Sequence, residues 1–342
     1  MPGNNKTAFI FSTLDFLKED RYFPIKYDLI WREKLRIGII GIGGVGGYFG
    51  GKLAKANEKS CEHEVIFVAR GEHLQAIQKN GLHLYTKEGD YLAWPNIATD
   101  NPATAGLFDI AFFCTKSYSL ENTAREFTSC FNNHTVVIPL LNGVNAAERV
   151  RSVLPQTHII KGSVYIISHI EKPGVVKQEG GACKLTFGTD DSESAKKYSY
   201  ILDILTKAKI NAVLTDKISE VLWTKYLLMC PLGSLTSSTG KTYGAIREDS
   251  SLRKMARDMM LEVVAVAKGH NVKLTEDAVD NAMEMVAGFG YNSKTSMQLD
   301  IEKGRQTEID ALTEYLCKAG KESGVPTPLH DEIYQKLKII SA

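Results

Sequence analysis

Leu35-Arg36-Ile37-Gly38-Ile39-Ile40-Gly41-Ile42-Gly43-Gly44-Val45-Gly46 decides how this chain is read. An apolar run ends in G-x-G-x-x-G. The small residues Gly47, Gly50 and Gly51 follow, as in a helix that packs closely on a sheet. Each glycine of the motif has a physical task there. The first turns the chain tightly, the second lets a phosphate approach bare backbone, and the third lets helix meet strand. The N–H groups at the helix start then face the phosphate charge. Gly41, Ile42, Gly43, Gly44, Val45 and Gly46 are therefore expected to bind the pyrophosphate of a dinucleotide.

Outward from this loop, residues 35–188 alternate short β-branched runs with helical stretches, the pattern of a mostly parallel α/β sheet. Strands are expected at Leu35–Ile40, Glu64–Ala69, Asp109–Cys114 and Thr135–Leu140. Helical stretches are expected at Gly46–Ala56, Glu72–Lys79 and Leu120–Phe131. His158–Ser168, Gly174–Gln178 and Lys184–Phe187 read as antiparallel additions at the sheet edge, with turns at Pro173-Gly174 and Gly180-Gly181. From Ser192 onward the pattern is helical. Leu252, Met255, Ala256, Met259, Val263 and Ala267 recur at helical spacing, as do Ile309, Leu312 and Leu316.

The fold class expected is α/β, with an N-terminal Rossmann-type domain over 35–212 and an all-helical domain over 213–342. The change is placed within 211–218, and residues 1–34 are read as an N-terminal extension. A length of 342 residues suits two domains better than one core.

The second strand selects the cofactor. An NAD site ends that strand in Asp or Glu, which accepts hydrogen bonds from the ribose hydroxyls. Here Val65-Ile66-Phe67-Val68-Ala69 runs into Arg70. A guanidinium clamps a 2′-phosphate through charge-assisted bonds, and no carboxylate repels it. NADP(H) is expected.

Composition narrows the remaining classes. A formal net charge of +1 provides no broad field for nucleic acid or anionic lipid. No apolar run is long enough to span a bilayer. Ala8–Phe11 is apolar, but Asp15, Lys18, Glu19 and Asp20 follow with no small-residue cleavage site, so the start fits a signal peptide poorly. A cytoplasmic protein is expected. The six cysteines form no C-x-x-C pair and the eight histidines no H-E-x-x-H, so neither a disulfide framework nor a metal site is expected.

Two strand ends and one helix carry chemistry. Thr115-Lys116-Ser117-Tyr118 and Leu141-Asn142-Gly143-Val144 follow the third and fourth strands, where open α/β folds place ligands. Lys116 either reaches an anion or is a solvated loop lysine; Asn142-Gly143 is also a common turn pair. Lys225 interrupts the apolar helix Glu220–Leu227. Burial would lower its pKa and suit it to donate a proton, whereas snorkelling would make it ordinary.

Taken together, G-x-G-x-x-G, Arg70, Thr-Lys-Ser at 115–117, Leu-Asn-Gly at 141–143, Trp-x-Lys at 223–225, Ser296-Met297 and Thr307-Glu308-Ile309-Asp310 resemble the ketopantoate reductase family (2-dehydropantoate 2-reductases). The resemblance runs over about residues 35–340. It implies a Rossmann domain joined to a helical domain like the C-terminal one of 6-phosphogluconate dehydrogenase, with the active site in the cleft between them. Lys225 then resembles the general acid, and Glu308 the carboxylate that pairs with and orients it. Ser296 resembles the residue that holds the substrate carboxylate, and Asn142 the one that spans cofactor and substrate. Lys116 and Arg70 resemble cofactor-binding positions, and Lys116 also lies within reach of the substrate. The family usually carries asparagines four and eight residues after the lysine, where this chain has Met229 and Gly233.

The function these readings imply is NADPH-dependent reduction of ketopantoate to pantoate in pantothenate biosynthesis. The alternatives are reduction of a different, less polar 2-oxo acid, or a non-catalytic NADP(H)-binding protein. The last has no need of an acid and its partner. The expected partner is a small-molecule 2-oxo acid. The resemblance leaves a homodimer open, and no interface stripe is legible.

Overall fold

The computed structural model describes residues 34–340, so the extension expected at residues 1–34 lies outside the described residues but for Lys34. The strands are β1 (Leu35–Ile40), β2 (His63–Val68), β3 (Leu82–Thr86), β4 (Gly89–Ala93), β5 (Ile97–Thr99) and β6 (Ile110–Phe113). They continue as β7 (Val136–Pro139), β8 (His158–Ile159), β9 (Lys161–Lys172), β10 (Val175–Gly188) and β11 (Asn211–Thr215).

Six of them form one parallel sheet in the order β5-β2-β1-β6-β7-β8. Numbered along that sheet, this is 3-2-1-4-5-6, the doubly wound order of Rossmann domains. The connection reverses direction between β1 and β6, which opens a crevice at their carboxyl ends. The strands that form the centre are continuously apolar because both faces are covered: Ile37, Ile39, Val65, Phe67, Ile110, Phe112, Val136 and Ile138 face one core cluster. Ile40, Ile66, Val68, Ala111, Phe113 and Val137 face another.

The glycine motif closes tightly onto this sheet. Gly41 turns with φ +97°, and a side chain at Gly46 would start 2.0 Å from the Gly41 carbonyl oxygen. Only a bare Cα lets the helix Gly44–Ser60 come so near β1.

Three expectations are corrected. The segments at 158–188 are not additions to the edge of the parallel sheet. Apart from β8, which does join it, they form a second sheet, β11-β10-β3-β4, with β9 antiparallel to β10. Gly180-Gly181 is not a turn between strands. It lies inside β10, where the pairing with β9 shifts register on either side of Gly180. Residues after Ser192 are not uniformly helical, because β11 pairs in parallel with β10 and carries the sheet across the 212/213 boundary to Thr215.

The remainder is helical. Ile218–Thr239 is buried along most of its length, so it is the central helix of the bundle. Ser250–Gly269 packs on it through Ala256, Met259, Val263 and Ala267 and is capped by Asp249, whose carboxylate accepts from the N–H groups of Ser251 and Leu252. The helices Tyr243–Glu248, Ala278–Gly288, Ser296–Glu302, Tyr315–Ser323 and Pro328–Ile340, with the π-helical turn Asp310–Glu314, complete it. Among the described residues, no helix is long and apolar enough to cross a membrane.

Candidate active site

The cleft lies between the carboxyl edge of the parallel sheet and the helical bundle. Three backbone stretches of the sheet domain reach it: the glycine turn after β1, Lys116-Ser117 after β6, and Asn142-Gly143 after β7.

From the opposite side comes Lys225, in the central helix. Its residue is only 8% exposed. Its ammonium donates to Oδ1 of Asn142 at 3.0 Å and lies 5.7 Å from the centre of the Tyr165 ring on β9. Burial lowers its pKa to about 8, against the opposing pull of the Glu308 charge. Of the two readings of this lysine, the structure shows the buried one.

Glu308 is also buried, at 5% exposure. Its Oε1 accepts from the Ser117 N–H at 3.1 Å, and its Oε2 accepts from Nδ2 of Asn142 at 3.2 Å. The carboxylate expected to pair with Lys225 therefore reaches it across one amide. A carboxylate only accepts and an ammonium only donates, so Asn142 satisfies both by turning its nitrogen to one and its oxygen to the other.

Lys116 crosses the cleft as well. Its Nζ is 3.0 Å from Asp300 and 3.6 Å from Glu308. Burial works against its charge, but Glu308 and Asp300 outweigh that and raise its pKa. Ser296 begins the helix Ser296–Glu302 and is exposed, four residues before Asp300 and so on the same face. Arg70 is exposed at the end of β2, where it forms an ion pair with Glu126.

Met229 and Gly233 continue the face of the helix that carries Lys225, one and two turns on. Met229 is partly exposed, and a side chain at Gly233 would touch Met297 and Leu312. Asp300, Arg149 and Tyr165 were not singled out from sequence. Asp300 had one clue, its i+4 spacing from Ser296 on a helix; the other two arrive through tertiary folding alone.

The phosphate loop fits a dinucleotide. No side chain caps the helix start at Gly43, and no acidic residue stands in its first turn. A Cβ built on Gly43 meets nothing within 4 Å, unlike its neighbours Gly41 and Gly44, so the backbone there is open to a ligand. The Thr115 hydroxyl at the end of β6 is buried without a hydrogen-bond partner beside this loop. Among the described residues, no group of His, Cys, Asp and Glu side chains is arranged to hold a metal.

Comparison with known proteins agrees with this geometry. The family model described as ketopantoate reductase PanE/ApbA matches residues 37–192, and that of its C-terminal part matches residues 217–341. The 2-dehydropantoate 2-reductase of Mesorhizobium japonicum is 29% identical over 319 residues, covering 87% of this chain and 95% of that protein. A crystal structure of a PanE/ApbA family ketopantoate reductase from Ralstonia eutropha JMP134 superposes with a TM-score of 0.81 at 29% identity, covering 90% and 98% of the two chains. The ternary complex of D-mandelate dehydrogenase with NADH and anilino(oxo)acetate shares the fold, with a TM-score of 0.77 at 24% identity and coverage of 90% and 98%. With both halves of the chain matched, it belongs to the ketopantoate reductase family and is an oxidoreductase acting on CH–OH groups.

Proposed function

We propose that this chain reduces a 2-oxo acid to the 2-hydroxy acid with NADPH, that ketopantoate is the acid and pantoate the product, and that Lys225 is the proton donor. The observation that carries the reading is the buried ammonium of Lys225, held 3.0 Å from Asn142 at the same edge of the sheet as the glycine turn.

The residues from Gly41 to Gly46 would hold the pyrophosphate, with Arg70 and Lys116 on the remaining phosphate charge. Arg70 would exchange its ion pair with Glu126 for the 2′-phosphate. When bound, the reduced nicotinamide supplies the hydride. Lys225 supplies the proton. As the carbonyl carbon gains hydride, the C=O π bond breaks and the oxygen takes a proton from Nζ. This leaves a neutral amine that recovers its proton from water.

A buried cation beside the developing alkoxide also stabilises its charge, and proton transfer of this kind contributes about 10²- to 10⁴-fold. A pKa of about 8 keeps Lys225 mostly protonated at neutral pH. Ser296, at the start of its helix, would receive the substrate carboxylate.

One observation favours a second substrate. Beyond Lys225 the cleft face of the helix carries Met229 and Gly233, and the latter packs near Met297 and Leu312. Neither position offers a hydrogen bond to a hydroxylated substrate, which suits a less polar 2-oxo acid. The deciding experiment is a panel of 2-oxo acids assayed with NADPH and with NADH, followed at the nicotinamide absorbance. Ketopantoate with NADPH is expected to give the highest kcat/KM. A branched or aromatic 2-oxo acid ahead of ketopantoate would replace the substrate, equal use of NADH would remove the assignment to Arg70, and no turnover on any acid would refute the reductase reading.

A further inference from the structure

Ser117 is 1% exposed, and all three of its polar groups are engaged. Its N–H donates to Oε1 of Glu308 at 3.1 Å, its hydroxyl to Oδ1 of Asp310 at 2.9 Å, and its carbonyl accepts from Nη2 of Arg149 at 2.8 Å. Arg149 is itself anchored. Its Nε and Nη2 donate to the two oxygens of Glu121 at 2.6 and 2.8 Å, and its Nη1 lies 3.6 Å from Asp310.

The cluster ties together three pieces of chain remote in sequence: the turn after β6, the helix Ala146–Val153 and the π-helical turn Asp310–Glu314. That turn is pinned from the other side as well, because the Tyr226 hydroxyl donates to the Leu312 carbonyl at 2.6 Å. Tyr226 directly follows Lys225.

We propose that Ser117, Asp310 and Arg149 are positioning residues that set the Glu308 carboxylate and, through Asn142, aim the Lys225 ammonium. The proposal rests on the reductase reading. Its physical basis is the order of donors and acceptors. Glu308 offers only acceptors, so its placement obliges Asn142 to present Nδ2 to it and Oδ1 to the ammonium. A carboxylate that drifts away frees the amide to turn, and Lys225 then faces a donor. Neither Asp310 nor Arg149 is bonded to Lys225, so their influence passes through Ser117 and Glu308.

The groups that surround the ammonium are Asn142, Glu308 and the Tyr165 ring, with Lys116 and Asp300 next beyond Glu308. Of these, Glu308 accepts a hydrogen bond from the cluster directly, through the Ser117 N–H.

The test uses the full chain, NADPH and the best acid of the panel, with Asp310→Ala, Asp310→Asn and Ser117→Ala. Asp310→Ala is expected to lower kcat by roughly ten- to a hundredfold, the scale of a misplaced reacting group. KM for NADPH should stay within about twofold of the wild-type value. The alkaline limb of the kcat profile should move to lower pH, as in Glu308→Gln, because the ammonium loses a supporting charge. Asp310→Asn, which still accepts from Ser117, should recover most of kcat. Ser117→Ala removes one hydroxyl and should show the same shift in smaller degree; it reads the effect if Asp310→Ala folds poorly. A wild-type kcat and alkaline limb in folded Ser117→Ala and Asp310→Ala overturns the proposal, as does a loss of kcat that only tracks a lowered melting temperature. Full turnover in Lys225→Met and Glu308→Gln overturns the assignment of Lys225 as proton donor, and no turnover by the parent on any acid overturns the reductase reading beneath it; both results are distinct from the first two.

Discussion

At the scale of single residues, Lys225 sets stability against activity. Its pKa of about 8 lies below the ordinary lysine value of 10.5 because burial penalises the charge. The unfolded chain therefore binds more protons between those two values, and stability rises with pH across that window. Below about pH 8 the whole penalty is present. Replacing the ammonium with an apolar chain of similar length removes it. Lys225→Met is expected to raise stability at pH 7 by at most about 3 kcal/mol, by the free energy of the pKa shift. The Asn142 oxygen left without a donor takes back about 1 kcal/mol of that. The same change should cut turnover about 10²- to 10⁴-fold. Urea unfolding at pH 7 and pH 10 checks the first half: the gain should shrink at the higher pH. Wild-type turnover should itself fall as pH rises through about 8, since the acid must carry its proton. A destabilised Lys225→Met protein would mean that the ammonium is held by more than Asn142. The lysine was legible in sequence as a charge inside an apolar helix, but its burial was not, because the same pattern fits a side chain that snorkels. Asn142 by its local residues also fitted an ordinary Asn-Gly turn, and its site role came only from the family resemblance. Its place between an ammonium and a carboxylate depends on residues 83 and 166 positions away.

At the scale of elements, the central strands were legible because they are buried on both faces and so read as unbroken apolar runs. The hairpin β3–β4 and the short β5 were not. In β3 only Leu82 and Leu84 are buried, and in β4 only Ala93. A strand half open to water, with Lys87-Glu88 at its turn, leaves too weak an alternation to read. The glycine turn stands at the other extreme, and its three glycines make separable demands. At Gly46 a side chain would collide with the Gly41 carbonyl, whereas at Gly43 it would enter open space. Gly43→Ala is therefore expected to melt within about 0.5 kcal/mol of the parent, as surface substitutions do. It should bind NADPH at least tenfold more weakly, because the methyl group stands where the phosphate would approach. Gly46→Ala should instead lose roughly 1–3 kcal/mol of stability, the usual cost of overpacking. Thermal melting and cofactor titration of both variants separate the effects. Equal NADPH affinity in Gly43→Ala and the parent would deny the loop its phosphate.

At the scale of the whole molecule, the two halves are joined where the chemistry is. Val144, two residues after Asn142, belongs by packing to the core cluster of the helical bundle, the one that also holds Leu222, Met297 and Leu312. Gly143 turns with φ +94° so close to the π-helical turn that a side chain would start 2.9 Å from the Ala311 carbonyl oxygen. Lys161 on β9 reaches Ser219 at the start of the central helix with a 2.7 Å hydrogen bond. The cleft walls thus share apolar as well as polar contacts, and sequence reading missed this because every such pair is remote along the chain. Coupling of this kind means that a ligand held by the glycine turn should stabilise the helical half too. NADPH at a hundred times its Kd adds about 2.7 kcal/mol to the folded state. In a molecule of this size that moves the melting temperature by roughly 3–5 °C. The expected trace is a single transition that shifts as one. It should be read both by the near-ultraviolet signal of Trp223 in the helical half and by that of Trp94 in the sheet half. If NADPH moves only the Trp94 transition, the halves unfold separately. The contacts of Gly143 and Val144 would then be too weak to carry the effect of the bound cofactor across the cleft.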